Sequence, residues 1–181
     1  GVAVNGIPFD PMAAEFYLGN HKGWQYNALG GAIPLGLDAN YAHVQPSGAY
    51  HYHGLPVGLM QELGWQAGRP SPLIGYAADG FPIFAMTAKV DGKVKRMRSS
   101  YRLKPGNRPG GSKPSGPHDG SFINDYEYVR GAGDLDACNG VKVTTPDYPN
   151  GVYAYFLTRK FPVVPRCLVG KIGKGFKKAR R

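Results

Sequence analysis

Histidines concentrate in one short stretch of the chain and point to metal chemistry. Three of the five histidines in the 181-residue sequence, His43, His51 and His53, fall within eleven residues. Tyr50 to His53 has strand-forming composition, and alternate side chains of a strand share a face. The roots of the His51 and His53 side chains should therefore stand roughly 6–7 Å apart on one face. The turn-rich segment 44–48 can deliver His43 as a third ligand, and this set predicts a Zn or Cu site.

Further candidate ligands lie elsewhere in the sequence. His118 and Asp119 follow a long loop, and Asp79 lies in a turn-like Ala-Ala-Asp-Gly stretch. Asp79 and Asp119 are also candidate catalytic residues, because a carboxylate beside an imidazole orients the ring or activates a metal-bound water. Such a site predicts metal-dependent hydrolysis or oxidation. The alternative is that the histidines hydrogen-bond backbone or aromatic hydroxyl groups and bind no metal.

A second group of polar residues offers oxygen ligands. Asp134 and Asp136 are followed closely by Asn139 and Gly140 in a turn-rich stretch. Hard oxygen ligands of this kind suit Ca²⁺, although the full EF-hand pattern is missing. The alternative is that these side chains cap turns and face solvent.

The elements that position these residues are mostly short strands. The chain contains 27 Gly and 16 Pro, which interrupt it too often for a helical bundle. We predict a mostly β, sandwich-like domain with short helices. Strands are expected at 50–53, 83–88 and 153–158, a hairpin turn at Asp91-Gly92, and helices at 12–18 and 56–63.

Length and charge define the organisation of the chain. We predict one domain over residues 1–170, containing a Gly/Pro-rich surface loop at 105–117, and a basic tail at 171–181. The net charge of +10 comes from this tail and from residues 89–116. A basic tail suits contact with a polyanion, but no nucleic-acid-binding motif accompanies it, which argues against nucleic acid. No stretch is apolar enough to span a membrane.

The two cysteines, Cys138 and Cys167, are too far apart in sequence for a Cys-x-x-Cys motif. They either pair or remain as two buried thiols, and we favour a disulfide. Such a bond persists mainly in oxidising compartments, which predicts an extracellular or periplasmic location.

The histidine-rich segment also carries a resemblance to a known family. Residues 37–56 contain the run Tyr50-His51-Tyr52-His53 and resemble the signature of the YHYH-domain family. Similar blocks occur at 5–11, 74–83, 119–128 and 134–140. The resemblance implies a single secreted or envelope-associated domain, and it implies no settled biochemical role. Two departures, Phe84-Ala85 and Ala137, lie outside the histidine stretch.

Two functions of different classes fit these observations. The first is a metal-binding protein, catalytic or not, centred on His43, His51 and His53. The second is a non-catalytic extracellular module, in which aromatic and basic side chains bind a glycan or an acidic polymer. In that second case the histidines only brace the fold.

Overall fold

The computed structural model describes residues 1–176, and short strands dominate this part of the chain. One α-helix and three 3-10 turns accompany eleven strands there. The strands are β1 (Val2–Ala3), β2 (Ala42–Val44), β3 (Tyr50–Tyr52), β4 (Leu73–Tyr76), β5 (Pro82–Ala85), β6 (Thr87–Val90), β7 (Lys93–Arg96), β8 (Tyr101–Leu103), β9 (Tyr126–Tyr128), β10 (Gly140–Thr145) and β11 (Tyr148–Leu157). The helix α1 spans Val57–Glu62, and the 3-10 turns span Tyr17–Gly19, Ile123–Asp125 and Lys174–Phe176. The mostly β prediction is therefore confirmed.

Five of the strands form the main sheet, in the order β1-β4-β5-β11-β10. Its pairs are antiparallel except for β5 and β11, which run parallel. The pairs β2–β3, β6–β7 and β8–β9 form three separate two-stranded sheets. The central position of β5 and of the C-terminal half of β11 explains their continuous apolar sequences, since both faces of a central strand are covered.

Two hydrophobic clusters cover opposite faces of the main sheet. Along β11, Tyr155 and Leu157 belong to one cluster, whereas Ala154 and Phe156 belong to the other. This division follows from the two-residue period of a strand. All four residues are at most 1% exposed, and full burial of a large apolar side chain contributes about 1.5–3 kcal/mol.

The β2–β3 hairpin and α1 pack into the first of these clusters. Ala42 and Tyr52 from the hairpin share this cluster with Leu59 and Met60 from the helix. The backbone of Phe9 forms a parallel bridge with Tyr52, and the two ring centroids lie 5.6 Å apart. Because neighbouring residues of a strand face opposite sides, the burial of Tyr52 in this core fixes the side on which the histidines lie.

The predicted helix over residues 12–18 is wrong. Only the 3-10 turn at Tyr17–Gly19 forms there, and the preceding chain pairs with a neighbouring segment instead. Phe16 bridges Gln25 in an antiparallel arrangement, and the Gln25 side chain donates to the carbonyl of Ala13 at 2.6 Å. Asp10 caps a local turn by accepting from the Met12 N–H at 2.9 Å. Tertiary pairing has overridden the local helix signals.

The strand predicted over residues 83–88 is divided at Met86, whose φ of 58° separates β5 from β6, but several other predicted elements are confirmed. The helix predicted over residues 56–63 forms as α1. Asp91 and Gly92 connect β6 and β7 with φ values of 49° and 77°, as a two-residue hairpin turn with both residues in the left-handed region requires. The Gly/Pro-rich segment 105–117 contains no strand, and the Arg108 N–H donates to the Gly116 carbonyl at 2.8 Å across it.

Cys138 and Cys167 form the predicted disulfide. Disulfides persist mainly in oxidising compartments, so this bond is compatible with an extracellular or periplasmic location. No helix within residues 1–176 has the length and apolar character needed to cross a membrane. The predicted basic tail at 171–181 lies partly outside the described residues, which end at Phe176.

Candidate metal centre

The β2–β3 hairpin brings three histidines together. His43 on β2 lies directly opposite His51 on β3, and His53 follows two residues later on the same side. Their Nε2 atoms are separated by 3.2 Å between His43 and His51, 2.9 Å between His51 and His53, and 3.3 Å between His53 and His43. We call His43, His51 and His53 the three-histidine cluster.

The other ring nitrogens of the cluster each face a backbone carbonyl. His43 Nδ1 lies 2.7 Å from the Leu35 oxygen, and His53 Nδ1 lies 2.9 Å from the Asp10 oxygen. His51 Nδ1 makes a longer contact of 3.3 Å with the Ala49 oxygen. A carbonyl oxygen only accepts hydrogen bonds, so these contacts favour the tautomer that carries its proton on Nδ1.

With this tautomer at all three histidines, the lone pairs of the three Nε2 atoms face one another. A neutral imidazole with its proton on Nδ1 has an unprotonated Nε2, which can accept a hydrogen bond or ligate a metal but cannot donate. Three such atoms about 3 Å apart repel one another unless a proton or a metal cation lies among them. Carbonyl contacts that orient the ring in this way are the usual outer partners of metal-ligating histidines.

The dimensions of the cluster fit a Zn or Cu ion. Tetrahedral coordination with metal–nitrogen distances of about 2.0–2.1 Å separates the nitrogens by about 3.3–3.4 Å. Two of the three separations, 3.2 and 3.3 Å, are close to this value, and the third is 2.9 Å. Binding an ion therefore needs only a small widening between His51 and His53.

Burial also favours the ligating form. His51 and His53 are each 4% exposed, and His43 is half-buried. Burial lowers the pKa of His53, and the neighbouring His51 acts in the same direction. A lowered pKa keeps this imidazole neutral near pH 7, which is the state that a metal requires.

Two of the further candidate ligands, His118 and Asp119, are not part of this cluster. His118 Nδ1 contacts the carbonyls of Pro105 and Gly106, and its ring stacks on Trp24. Asp119 forms an ion pair with Arg108. Hydrogen bonds from Ser121 lower the pKa of Asp119 to about 2, and Arg108 acts in the same direction. Both His118 and Asp119 thus contact other groups in the loop region, away from the hairpin histidines.

Asp79 also lies outside the cluster. Its Oδ2 accepts hydrogen bonds from the Tyr155 hydroxyl at 2.6 Å and from the Gly170 N–H at 2.9 Å. Tyr155 lies on the central strand β11, so Asp79 connects the C-terminal segment to the main sheet. Burial raises the pKa of Tyr155, and Asp79 acts in the same direction by accepting its hydrogen bond.

The proposed calcium ligands have protein partners. Asp134 accepts from Lys95 Nζ at 2.8 Å and from the Arg98 N–H at 2.9 Å. Asp136 accepts from the N–H groups of Cys138 and Gly140, at 2.9 and 3.0 Å, and from a tyrosine hydroxyl. These contacts favour the interpretation that both carboxylates stabilise turns, and a calcium ion there stays a prediction.

The contacts that orient the rings could not be read from the sequence. The carbonyls of Asp10 and Leu35 come from segments that are remote from the hairpin or separated from it by turns. Backbone carbonyls are present at every residue, so neither carries a signal of its own. The only sequence signal of the cluster is the histidine spacing.

The fold and the cluster together define a β-rich, disulfide-bonded domain with a candidate three-histidine metal centre on a two-stranded hairpin. A family model described as YHYH protein matches residues 1–170, and the chain belongs to this family. The run Tyr50–His53 that carries the resemblance is thus the same segment that builds the cluster. Comparisons with curated proteins and with solved structures found no match.

Proposed function

We propose that this protein binds one Zn or Cu ion through the three-histidine cluster, in the periplasm or outside the cell. The observation that supports the proposal is the convergence of three Nε2 atoms while each Nδ1 faces a carbonyl. This arrangement supplies three nitrogen donors and orients them towards one point. Among the described residues, no other group of at least three His, Cys, Asp or Glu side chains has such geometry.

Three imidazoles leave further coordination positions for a water or a substrate. On Zn, an open position lowers the pKa of bound water to about 7 and allows hydrolysis. On Cu, the same ligand set is suited to redox chemistry or to metal storage. The chain's own role is to hold three nitrogen donors in a largely buried, pre-oriented set. Because Asp79 and Asp119 lie outside the cluster, the proposal assigns neither of them a catalytic role.

Metal binding is tested with untagged protein purified without chelators. Elemental analysis and calorimetric titration with Zn²⁺ and Cu²⁺ are expected to give one ion per chain. The double variant His51→Ala/His53→Ala should lose at least about 100-fold in affinity, because one remaining imidazole cannot chelate. The single variant His43→Ala, at the least buried of the three positions, should weaken binding while disturbing the core least.

A matched control removes the same number of imidazoles elsewhere. The double variant His21→Ala/His118→Ala leaves the cluster intact and should bind metal as the parent does. Circular dichroism should show that each variant retains the parent's fold. A parent that binds neither ion, or equal losses in both double variants, would contradict the proposal and favour histidines that only brace the hairpin.

A further inference from the structure

A large basic cleft lies beside the hairpin that carries the cluster. Its volume is about 1070 Å³, slightly above the about 300–1,000 Å³ typical of ligand sites. Five cationic side chains line it: Arg96, Arg98, Arg102, Arg159 and Lys160. No Asp or Glu is among the described residues that line the cleft. We call this feature the basic cleft.

Several of these cations have no partner in the described part of the chain. The side chains of Arg96, Arg159 and Lys160 make neither a hydrogen bond nor an ion pair there, and all three are exposed. Arg98 shares Asp134 with Lys95, and the Arg102 guanidinium donates only to backbone carbonyls. The cleft therefore carries excess positive charge that suits an anionic ligand.

The fold brings these charges together from distant parts of the sequence. Arg96 ends β7 and Arg102 lies on β8, whereas Arg159 and Lys160 lie two and three residues after the end of β11. The lining also contains apolar side chains, among them Leu29, Leu55, Met97 and Leu103. A matching ligand combines negative groups with some apolar surface.

One aromatic side chain offers a ring to such a ligand. Tyr41 lines the cleft and is 45% exposed, with a left-handed φ of 52° that is uncommon for a residue with a Cβ. Its carbonyl accepts the His53 N–H at 2.8 Å, which connects the cleft wall directly to the hairpin. Strained backbone of this kind is found preferentially at binding sites.

The other aromatic rings of the lining face one another. Tyr126 and Phe161 stack with centroids 3.8 Å apart, and Tyr101 meets Phe161 edge to face. Proteins that bind single-stranded nucleic acid use several open ring faces, on which successive bases stack. The mutual stacking of these rings disfavours that class of ligand.

We propose that the basic cleft binds an acidic polysaccharide chain. The carboxylates of such a chain meet the arginines and Lys160, while the C–H face of a sugar ring packs on Tyr41. Arginine suits this role because its planar fork binds a carboxylate with two parallel hydrogen bonds. This binding needs no metal ion and does not depend on the proposed function of the three-histidine cluster.

Binding of polygalacturonate fragments, measured by calorimetry in the presence of EDTA, tests the proposal. The triple variant Arg96→Gln/Arg159→Gln/Lys160→Gln should bind at least about tenfold more weakly at about 0.1 M salt, where charge attraction still acts. A matched triple variant, Lys22→Gln/Arg69→Gln/Lys113→Gln, removes the same charge from exposed positions outside the cleft. It should bind within about twofold of the parent. Equal losses in the two variants would overturn the proposal.

Two further probes test whether the ligand is a saccharide. Inorganic polyphosphate carries charge without sugar rings, and a single-stranded oligonucleotide carries charge with bases. Both should bind more weakly than polygalacturonate at equal charge. Tyr41→Asn, chosen because Asn tolerates a left-handed backbone, should weaken polygalacturonate binding several-fold and leave polyphosphate binding unchanged. Tighter binding of either probe, or no effect of Tyr41→Asn on polygalacturonate, would overturn the assignment.

Discussion

Replacing Arg108 by Met is expected to lower the free energy of unfolding by about 3–5 kcal/mol at neutral pH. Arg108 Nε and Nη2 donate to the two carboxylate oxygens of Asp125 at 2.8 and 2.7 Å. The Asp125 side chain is 0% exposed, and that of Arg108 is 6% exposed. Removing the guanidinium leaves a buried carboxylate without its counter-ion. Such an uncompensated buried charge destabilises the fold more than the removal of both partners does. Urea denaturation measures the change.

The pH dependence identifies the cause of this loss. Burial acts to raise the pKa of Asp125, but hydrogen bonds from Arg108 and from backbone N–H groups outweigh it, and the pKa lies below its usual value. In the parent, this carboxylate therefore contributes stability above about pH 4 that is lost as the pH falls through its folded pKa. Without Arg108 the pKa should rise, so the destabilisation should shrink on acidification.

Two variants complete this test. Adding Asp125→Asn to Arg108→Met removes the uncompensated charge and should recover part of the lost stability at neutral pH. Arg69→Met removes an exposed arginine whose side chain has no partner in the described residues, and it should change stability by less than about 0.5 kcal/mol. A loss in Arg108→Met that is independent of pH would show that packing, rather than the buried charge, is the cause.

The strands and turns of this fold could be predicted from the sequence where the local conformational preferences agree with the tertiary packing. Asp91-Gly92 predicts its hairpin because both residues tolerate a left-handed backbone, and the C-terminal half of β11 is apolar because both its faces are buried. Residues 12–18 carry helix signals of similar strength, yet Phe16 within them forms an antiparallel bridge with Gln25. A local sequence pattern does not reveal a pairing segment that only the tertiary structure supplies.

The candidate site was predictable in part for the same reason. The His-x-His spacing places His51 and His53 on one side of any strand, and the register that adds His43 follows from a short hairpin. The Arg108–Asp125 pair lies across a Gly/Pro-rich loop whose path no spacing rule specifies. The basic cleft likewise combines residues that are distant in sequence: Arg96, Arg98 and Arg102 lie in the basic segment 89–116 that the sequence indicated, whereas Arg159 and Lys160 lie outside it.

Removing the disulfide with Cys138→Ala and Cys167→Ala together is expected to lower the free energy of unfolding by about 3–4 kcal/mol. The two residues are 29 positions apart, and the cross-link restricts the unfolded chain over that length. It also ties the turn before β10 to the segment that packs Val164 and Leu168 against the core. Urea denaturation of the parent and the double variant checks this value.

Reduction of the parent provides the control. A reductant should shift the urea midpoint of the parent to that of the double variant and leave the variant itself unchanged. Alanine adds no thiol that could bind metal, and neither cysteine belongs to the three-histidine cluster, so Zn affinity below the unfolding transition should be unaltered. A midpoint that does not move on reduction would contradict the expected contribution of the bond.

The size of this effect bears on where the protein functions. The free energy of unfolding of a single domain is only about 5–15 kcal/mol, so a loss of about 3–4 kcal/mol is a large share of it. A chain that depends on the bond to this extent retains its full stability only where thiols stay oxidised. The variants His51→Ala/His53→Ala and Cys138→Ala/Cys167→Ala remove different groups. The first therefore tests metal binding, and the second tests the requirement for an oxidising compartment. Failure of one proposal would leave the other standing.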